Sequence, residues 1–259
     1  MRKLPGLLFL LVTLMPVAGY SADDAVPSIL RIGTAANYAP LAFMQDGEFQ
    51  GVEADLAKEI TRRMQINNRI LVLPWKELIS ALKDGRIDII MGGMSITEAR
   101  SQQIRFTDPY MKVGQMALIR TSELVQWNRP GAFLQDGARI GVIAGTTGED
   151  FVRADMPQVA LSDFKDTDSA VQALLDNKID VFIHDAPTIW RLTATSATMN
   201  PELFGIYRPL TEEYLAWAVR TEDEALADAL NRELADMHKD GSLNRITRRW
   251  IPVTVKVGN

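Results

Sequence analysis

Short apolar runs alternate along this chain with longer stretches whose apolar residues recur at helical spacing. The run ILRIGTA at 29–35 reads as a strand ending in a Gly-Thr turn. After the loop ANYAPLAF, the segment GEFQGVEADLAKEITRRM places Val52, Leu56, Ile60 and Met64 on one helical face. Strand RILVLP and helix WKELISALKDG follow, with Leu78, Ile79 and Leu82 as the buried stripe and Gly85 as the stop. The run IDIIM at 87–91 is the next strand. Alternating strands and helices predict a parallel α/β arrangement.

The pattern then repeats. ARIGVIAGTTGEDFVRADM is again strand, Gly-Thr turn and helix, and DTDSAVQALLDNK, with Val171, Leu174 and Leu175 on one face, leads into strand IDVFIHDAPTIWRL. ALKDGRIDIIMGG and ALLDNKIDVFIHD echo each other, so two similar α/β units are expected. MKVGQMALIR at 111–120 and EEYLAWAVR at 212–220 read as extended segments crossing between them. The run EDEALADALNRELADMHKDGSLNRITRRW predicts two amphipathic helices broken at Gly241.

The first residues do not fit this pattern. Arg2 and Lys3 precede an apolar run, LPGLLFLLVTLMPVAG, that ends in small residues and is followed by Asp23 and Asp24. It is shorter than the ~20 apolar residues a membrane span needs and is interrupted by Pro5 and Pro16. A secretory signal peptide over 1–22 is the expectation, with a product free in the periplasm. The chain has no cysteine, so neither a lipid-modified N-terminus nor a disulfide framework is available. At 259 residues it is long enough to bury a core without staples. A formal net charge of -5 implies no basic surface of the kind that nucleic acid requires. With only His184 and His238 and no cysteine, neither a transition-metal site nor a cofactor is expected.

Ligands of open parallel sheets collect at the carboxyl ends of strands, and four polar clusters fall there: GTAANY, GGMSITEAR, AGTTGED and HDAP. Ser95 and Thr97 read as N-cap residues, with Glu98 in the first turn of the helix. Arg100 in that turn either reaches back to hold a carboxylate or lies in solvent. AGTTG offers backbone amides but reads first as a tight turn. Asp185, at the end of an apolar strand, either meets a ligand ammonium or caps the helix near Pro187. His184 and Trp75 belong either to a pocket or to the core.

In order, GVEADLAKEI, DIIMGGMSITEARSQQIRFTDPY and IDVFIHDAP resemble segments of the periplasmic solute-binding proteins of polar amino-acid ABC importers, the bacterial extracellular solute-binding proteins of family 3. HDAP is most similar to the glutamine-binding branch. The resemblance covers nearly all of the chain after the leader. It implies a two-lobe α/β fold of type II, each lobe a mostly parallel sheet flanked by helices, joined by two hinge strands. Lobe 1 would span 28–110 plus 215–256, and lobe 2 would span 111–214 with a hinge strand at each end. It further implies that Arg100 binds the α-carboxylate of an amino acid, with Ser95 adding a hydroxyl and an amide. Gly93 would offer a carbonyl to the ammonium, the turn at Thr146 and Thr147 amides to the carboxylate, Asp185 a counter-charge to the ammonium, and Tyr38 an aromatic cover.

Three positions depart from relatives. Val52 stands where many carry an aromatic, which removes one wall of the ligand's aromatic sandwich unless Trp75 restores it. Ala35 replaces an aspartate frequent in binders of cationic amino acids, and Ile143 replaces a lysine of the glutamine binder. A neutral amino acid or related small carboxylate is therefore expected. The implied protein is a monomeric receptor with no enzymatic activity that docks on an inner-membrane permease. The alternatives are a secreted cyclohexadienyl-dehydratase-like enzyme, for which Glu53 and Glu149 are the nearest other acids but read as surface or helix-start residues, and a sensor for a separate membrane receptor.

Overall fold

The structure, a computed structural model, describes residues 26–129, 131–134, 137–194 and 200–252; the leader expected over 1–22 and the last residues assigned to lobe 1 lie outside them. The first unit opens with β1 (Ile29–Thr34), a small antiparallel sheet of β2 (Asn37–Tyr38), β3 (Ala42–Gln45) and β4 (Glu48–Gln50), and α1 (Val52–Met64). It continues through β5 (Asn67–Val72), α2 (Leu78–Lys83), β6 (Ile89–Ser95), α3 (Glu98–Ser101), β7 (Arg105–Phe106) and β8 (Met111–Val113). Val52, Leu56 and Ile60 of α1 are fully buried, and acids in its first turn with arginines in its last oppose the helix dipole. Because Val52 packs in this core and does not line the cavity described below, it bears on no aromatic wall there.

The second unit runs through β9 (Gln115–Arg120), α4 (Leu124–Trp127), β10 (Arg139–Ile143), α5 (Thr147–Asp155), β11 (Ala160–Phe164), α6 (Thr167–Leu175), β12 (Val181–Asp185), α7 (Ala186–Ala194) and β13 (Leu203–Ile206). The expected strand over 179–192 thus ends at Asp185, and helix begins at once. The chain closes with β14 (Glu213–Val219), α8 (Glu224–Lys239) and α9 (Ser242–Trp250). Gly241, at φ 75°, separates the last two helices.

The two main sheets share one plan. The first runs β5-β1-β6-β14-β7, with β8 also on β14, and the second runs β11-β10-β12-β9-β13. In each, one strand lies parallel between two others, β1 between β5 and β6 and β10 between β11 and β12. In each, a strand entering from the crossing segments then adds antiparallel, β14 on β6 and β9 on β12. This is the two-lobe α/β fold of type II, with apolar clusters on both faces of each sheet. Only Gly114 separates β8, in the first sheet, from β9, in the second. A Cβ there would lie 2.1 Å from the carbonyl oxygen of Thr211, because the two crossing segments touch at this point.

The sequence echo has a structural cause. Asp88 accepts from the backbone N–H of Arg31 at 2.9 Å and from its guanidinium at 2.5 Å. Asp180 accepts from the backbone N–H of Arg139 at 3.0 Å and from its Nε at 3.0 Å. Each Ile-Asp pair thereby ties the start of one strand to the start of its parallel neighbour. The helix before each strand ends in a left-handed residue, Gly85 at φ 68° and Asn177 at φ 56°.

Candidate ligand-binding cleft

The carboxyl ends of β1, β6, β10, β11 and β12 face one cavity of about 410 Å³ between the two main sheets. Tyr38, Trp75, Gly93, Ser95, Arg100, Thr146, Thr147, His184 and Asp185 all line it. The structure therefore brings together every residue that the sequence nominated for the site, including the two whose place was open between pocket and core.

The wall on the first sheet rests on a bulge. Pairing of β14 with β6 shifts register between Ala216 and Ala218, and opposite that break Gly93 adopts φ 73°. Its N–H donates instead to Oε1 of Glu53 at 2.8 Å. The same carboxylate accepts from the Tyr110 hydroxyl at 2.7 Å and from the Trp217 indole at 2.9 Å. Glu53 is 0% exposed, which corrects the reading of it as a surface acid; it sits at the start of α1 but faces inward. Burial pushes its pKa up against those hydrogen bonds. Glu149 lies in the first turn of α5, as expected, and accepts from the N–H of Gly145 at 2.6 Å.

Thr97, not Ser95, caps α3: its side chain accepts from the Arg100 N–H at 3.2 Å. Ser95 is the last residue of β6, and its hydroxyl donates to Glu213 at 2.7 Å. The Arg100 guanidinium donates to the Ser95 carbonyl at 2.9 Å and to the Gly145 carbonyl at 3.4 Å, and lies 5.5 Å from the centre of the Trp75 ring. Burial lowers its pKa, and among the described residues no carboxylate reaches it within 4.0 Å. A desolvated cation without an ion-pair partner is a receptor for an anion.

Across the cavity, Asp185 is 8% exposed and accepts from the Tyr38 hydroxyl and from Nε2 of Gln115. Burial first, and then the nearby Glu213 charge, push its carboxyl up to about 7, against the pull of those donors and of Arg100. His184 is half-buried beside Tyr38 and Phe182, and burial lowers it to about 4, so it stays neutral at physiological pH. Its Nδ1 accepts from the Asp185 N–H at 2.7 Å. Thr146 precedes α5, so the first amides of that helix border the cavity. The Trp75 indole donates to the Gly145 carbonyl at 2.8 Å, spanning from one sheet's elements to the other's.

Sequence reasoning missed Gln115, Glu213 and the buried role of Glu53. Gln115 and Glu213 open the crossing strands β9 and β14, where they look like ordinary strand-end polar residues. The remaining wall mixes apolar residues, Ala35, Ala36, Ile143, Ala144 and Phe164, with the polar and charged Asn37, Lys76, Asp163, Lys165, Asp166 and Thr167.

Two sheets of like plan meeting at one polar cavity, with an unpaired guanidinium on one wall and a carboxyl on the other, define an extracellular-type solute-binding protein. The chain belongs to the bacterial extracellular solute-binding proteins, family 3, whose profile matches residues 30–253. It is 29% identical over 251 residues to the histidine-binding periplasmic protein of Salmonella typhimurium, covering 92% of this chain and 93% of that one. It is 28% identical over 245 residues to the ABC transporter arginine-binding protein 1 of Escherichia coli, covering 91% and 96%. Among solved structures, a putative ABC-transporter binding component from Wolinella succinogenes, complexed with lysine, superposes with a TM-score of 0.82 at 28% identity, covering 88% of this chain and 98% of that one. Among the described residues no helix is long and apolar enough to cross a membrane, and no group of three or more His, Cys, Asp or Glu could hold a metal ion.

Proposed function

We propose that this chain is an exported receptor that binds a free, electrically neutral amino acid in the cleft and delivers it to the inner-membrane permease of an ABC importer. The observation that carries the reading is that Arg100 and Asp185 line one cavity from the two sheets, a cation and an acid for the two charged ends of an amino acid. Arg100 and the Thr147 N–H that opens α5 take the carboxylate end, framed by Thr146 and by the Ser95 and Thr147 hydroxyls, which donate to Glu213. Asp185 and the Gly93 carbonyl take the ammonium, and Tyr38, Trp75 and His184 enclose the side chain. The relatives named above bind histidine, arginine or lysine. A neutral side chain is favoured here by Ala35 and Ile143 on the wall, and by the engagement of Asp163 with Arg153 at 3.1 Å and of Asp166 with the Ser169 N–H at 2.8 Å.

The lobes of this receptor are 28–110 plus 215–256, and 111–214 counted with the hinge strands at both its ends, which pair into the first sheet as β8 and the start of β14; the leader 1–22 is removed on export to the periplasm, where the protein acts as a monomer. A thermal-shift screen of residues 23–259 against the common amino acids, keto acids and prephenate tests the reading. An amino acid at about one hundred times its Kd adds about 2.7 kcal/mol, which is about 5 to 11 °C for a chain of this size. Arg100→Ala removes the shift, because truncating one partner of a buried charge pair costs about 2 to 5 kcal/mol. A flat response to every amino acid overturns the reading, and consumption of prephenate would replace it with an enzyme.

A further inference from the structure

Glu213 belongs to none of the strand-end clusters, yet it joins both walls of the cleft. Its Oε2 accepts from the hydroxyl of Ser95 on β6 and from that of Thr147 on α5, both at 2.7 Å. Its Oε1 accepts from the Thr211 hydroxyl at 2.7 Å and from Nε2 of Gln115 at 3.0 Å. The same Gln115 nitrogen reaches Asp185 Oδ1 and, at 3.3 Å, Thr147 Oγ1. One amide nitrogen with two hydrogens thus stands among three acceptors, two of them on carboxyl groups.

We propose that Glu213 is a positioning residue of the amino-acid site: it fixes Ser95 and Thr147 against each other by accepting from both hydroxyls and, paired with Asp185 through Gln115, makes entry of an ammonium displace one proton from the pair. The inference rests on the amino-acid reading above. The groups facing Asp185 are Tyr38 from β2, Arg100 from α3, Tyr110 after β7, Gln115 from β9 and Glu213 from β14, with neutral His184 on its own strand. Arg100 is the one cation among them, set against two acids. Four hydrogen bonds, from Ser95, Thr147, Thr211 and Gln115, hold Glu213 below the usual carboxylate range despite its burial, whereas Asp185 is lifted. The shared proton therefore resides on Asp185. An ammonium carries donors only, so it needs the Asp185 oxygens as acceptors. The carboxyl O–H ionises, its proton leaves to solvent, the ammonium becomes the counter-charge, and no other bond is made or broken.

The test is calorimetry of the wild-type protein with each common L-amino acid titrated singly, in phosphate and in imidazole at about pH 6.5. The expected result is a binding enthalpy that differs between the two buffers by more than half of their difference in ionisation enthalpy, a difference that vanishes at about pH 8.5. In Glu213→Gln the proton release at the lower pH falls by at least half, and the midpoint of affinity against pH moves to lower pH. Heat of binding that is the same in both buffers overturns the proton coupling and leaves the receptor reading intact. No heat with any amino acid overturns the receptor reading itself. A Glu213→Gln protein that binds more weakly but releases the same proton with the same pH midpoint would make Glu213 merely structural and overturn its assigned role. Should that variant fail to fold, the wild-type buffer comparison still decides the coupling.

Discussion

Gly93 forms cavity wall with its backbone alone. A Cβ there would lie 2.6 Å from Cε1 of Tyr38, and the φ of 73° disfavours any side chain. Gly93→Ala is expected to destabilise the protein by about 1 to 3 kcal/mol and to swing the Tyr38 ring off Asp185, weakening amino-acid binding; wild-type affinity by calorimetry would refute this. Asp185 and His184 give a second prediction at this scale, because neighbouring residues carry opposite shifts. Asp185, raised to about 7, holds its proton more tightly folded than unfolded. Its contribution to stability is complete below its unfolded value of ~3.9 and is lost as pH rises through about 7. His184, lowered to about 4, acts in the opposite sense: its contribution is complete above ~6.5 and is lost as pH falls through about 4. The two slopes oppose each other over most of this range, so the wild-type profile understates both. Asp185→Asn removes one of them. Unfolding free energies of the two ligand-free proteins from urea titration should diverge in favour of the variant between about pH 4 and pH 7, by on the order of 2 to 4 kcal/mol; a gap independent of pH would defeat the assignment.

At the scale of elements, the paired Ile-Asp strand starts make a symmetric claim. Asp88 and Asp180 each close an arginine onto a parallel neighbour, at the strand ends opposite the cleft. Asp88→Asn and Asp180→Asn should each cost about 1.5 to 3 kcal/mol in urea unfolding and leave amino-acid affinity unchanged, and a loss of affinity at equal fold would break the separation of frame from site. This repeat was legible in the sequence because it is local: helix, left-handed stop, Ile-Asp, apolar strand. The strand-end clusters were legible for the same reason, since each lies within a few residues of a strand that periodicity finds. Glu213 was not legible, because its partners Ser95 and Thr147 are separated from it by 118 and 66 positions. Glu53 misled for another reason. An acid in the first turn of an amphipathic helix normally faces solvent, and only the bulge at Gly93 and the indole of Trp217 make an inward acceptor worthwhile. Ser95 shows the limit of motif reading, since a Ser-x-Thr pair contains one cap and its alternative, and only the strand's length decides which.

For the whole molecule, the bonds that join the two walls must be strong enough to retain an amino acid and weak enough to release it. The contacts between the walls include Tyr38 to Asp185, with its ring against His184, Thr188 to the Ala39 carbonyl at 3.1 Å, Trp75 and Arg100 to the Gly145 carbonyl at 2.8 and 3.4 Å, and the bridge through Glu213. These hydrogen bonds are each worth about 0.5 to 1.5 kcal/mol. Such a balance lets a bound amino acid shift the population by its own contacts. Trp75 makes this measurable, because it lines the cavity while Trp127, Trp190, Trp217 and Trp250 do not. Trp75→Phe keeps an aromatic wall but loses the indole bond to Gly145 and weakens the stacking of Arg100. The combined loss of about 1 to 2 kcal/mol should raise Kd about five- to thirty-fold. The increase should fall mainly in the dissociation rate, because the broken contact exists only when the walls meet. The amino-acid-dependent change in tryptophan fluorescence should nearly vanish in the same variant. Stopped-flow traces of the two proteins test both points, and an unchanged dissociation rate would mean that the walls stay together without this bond.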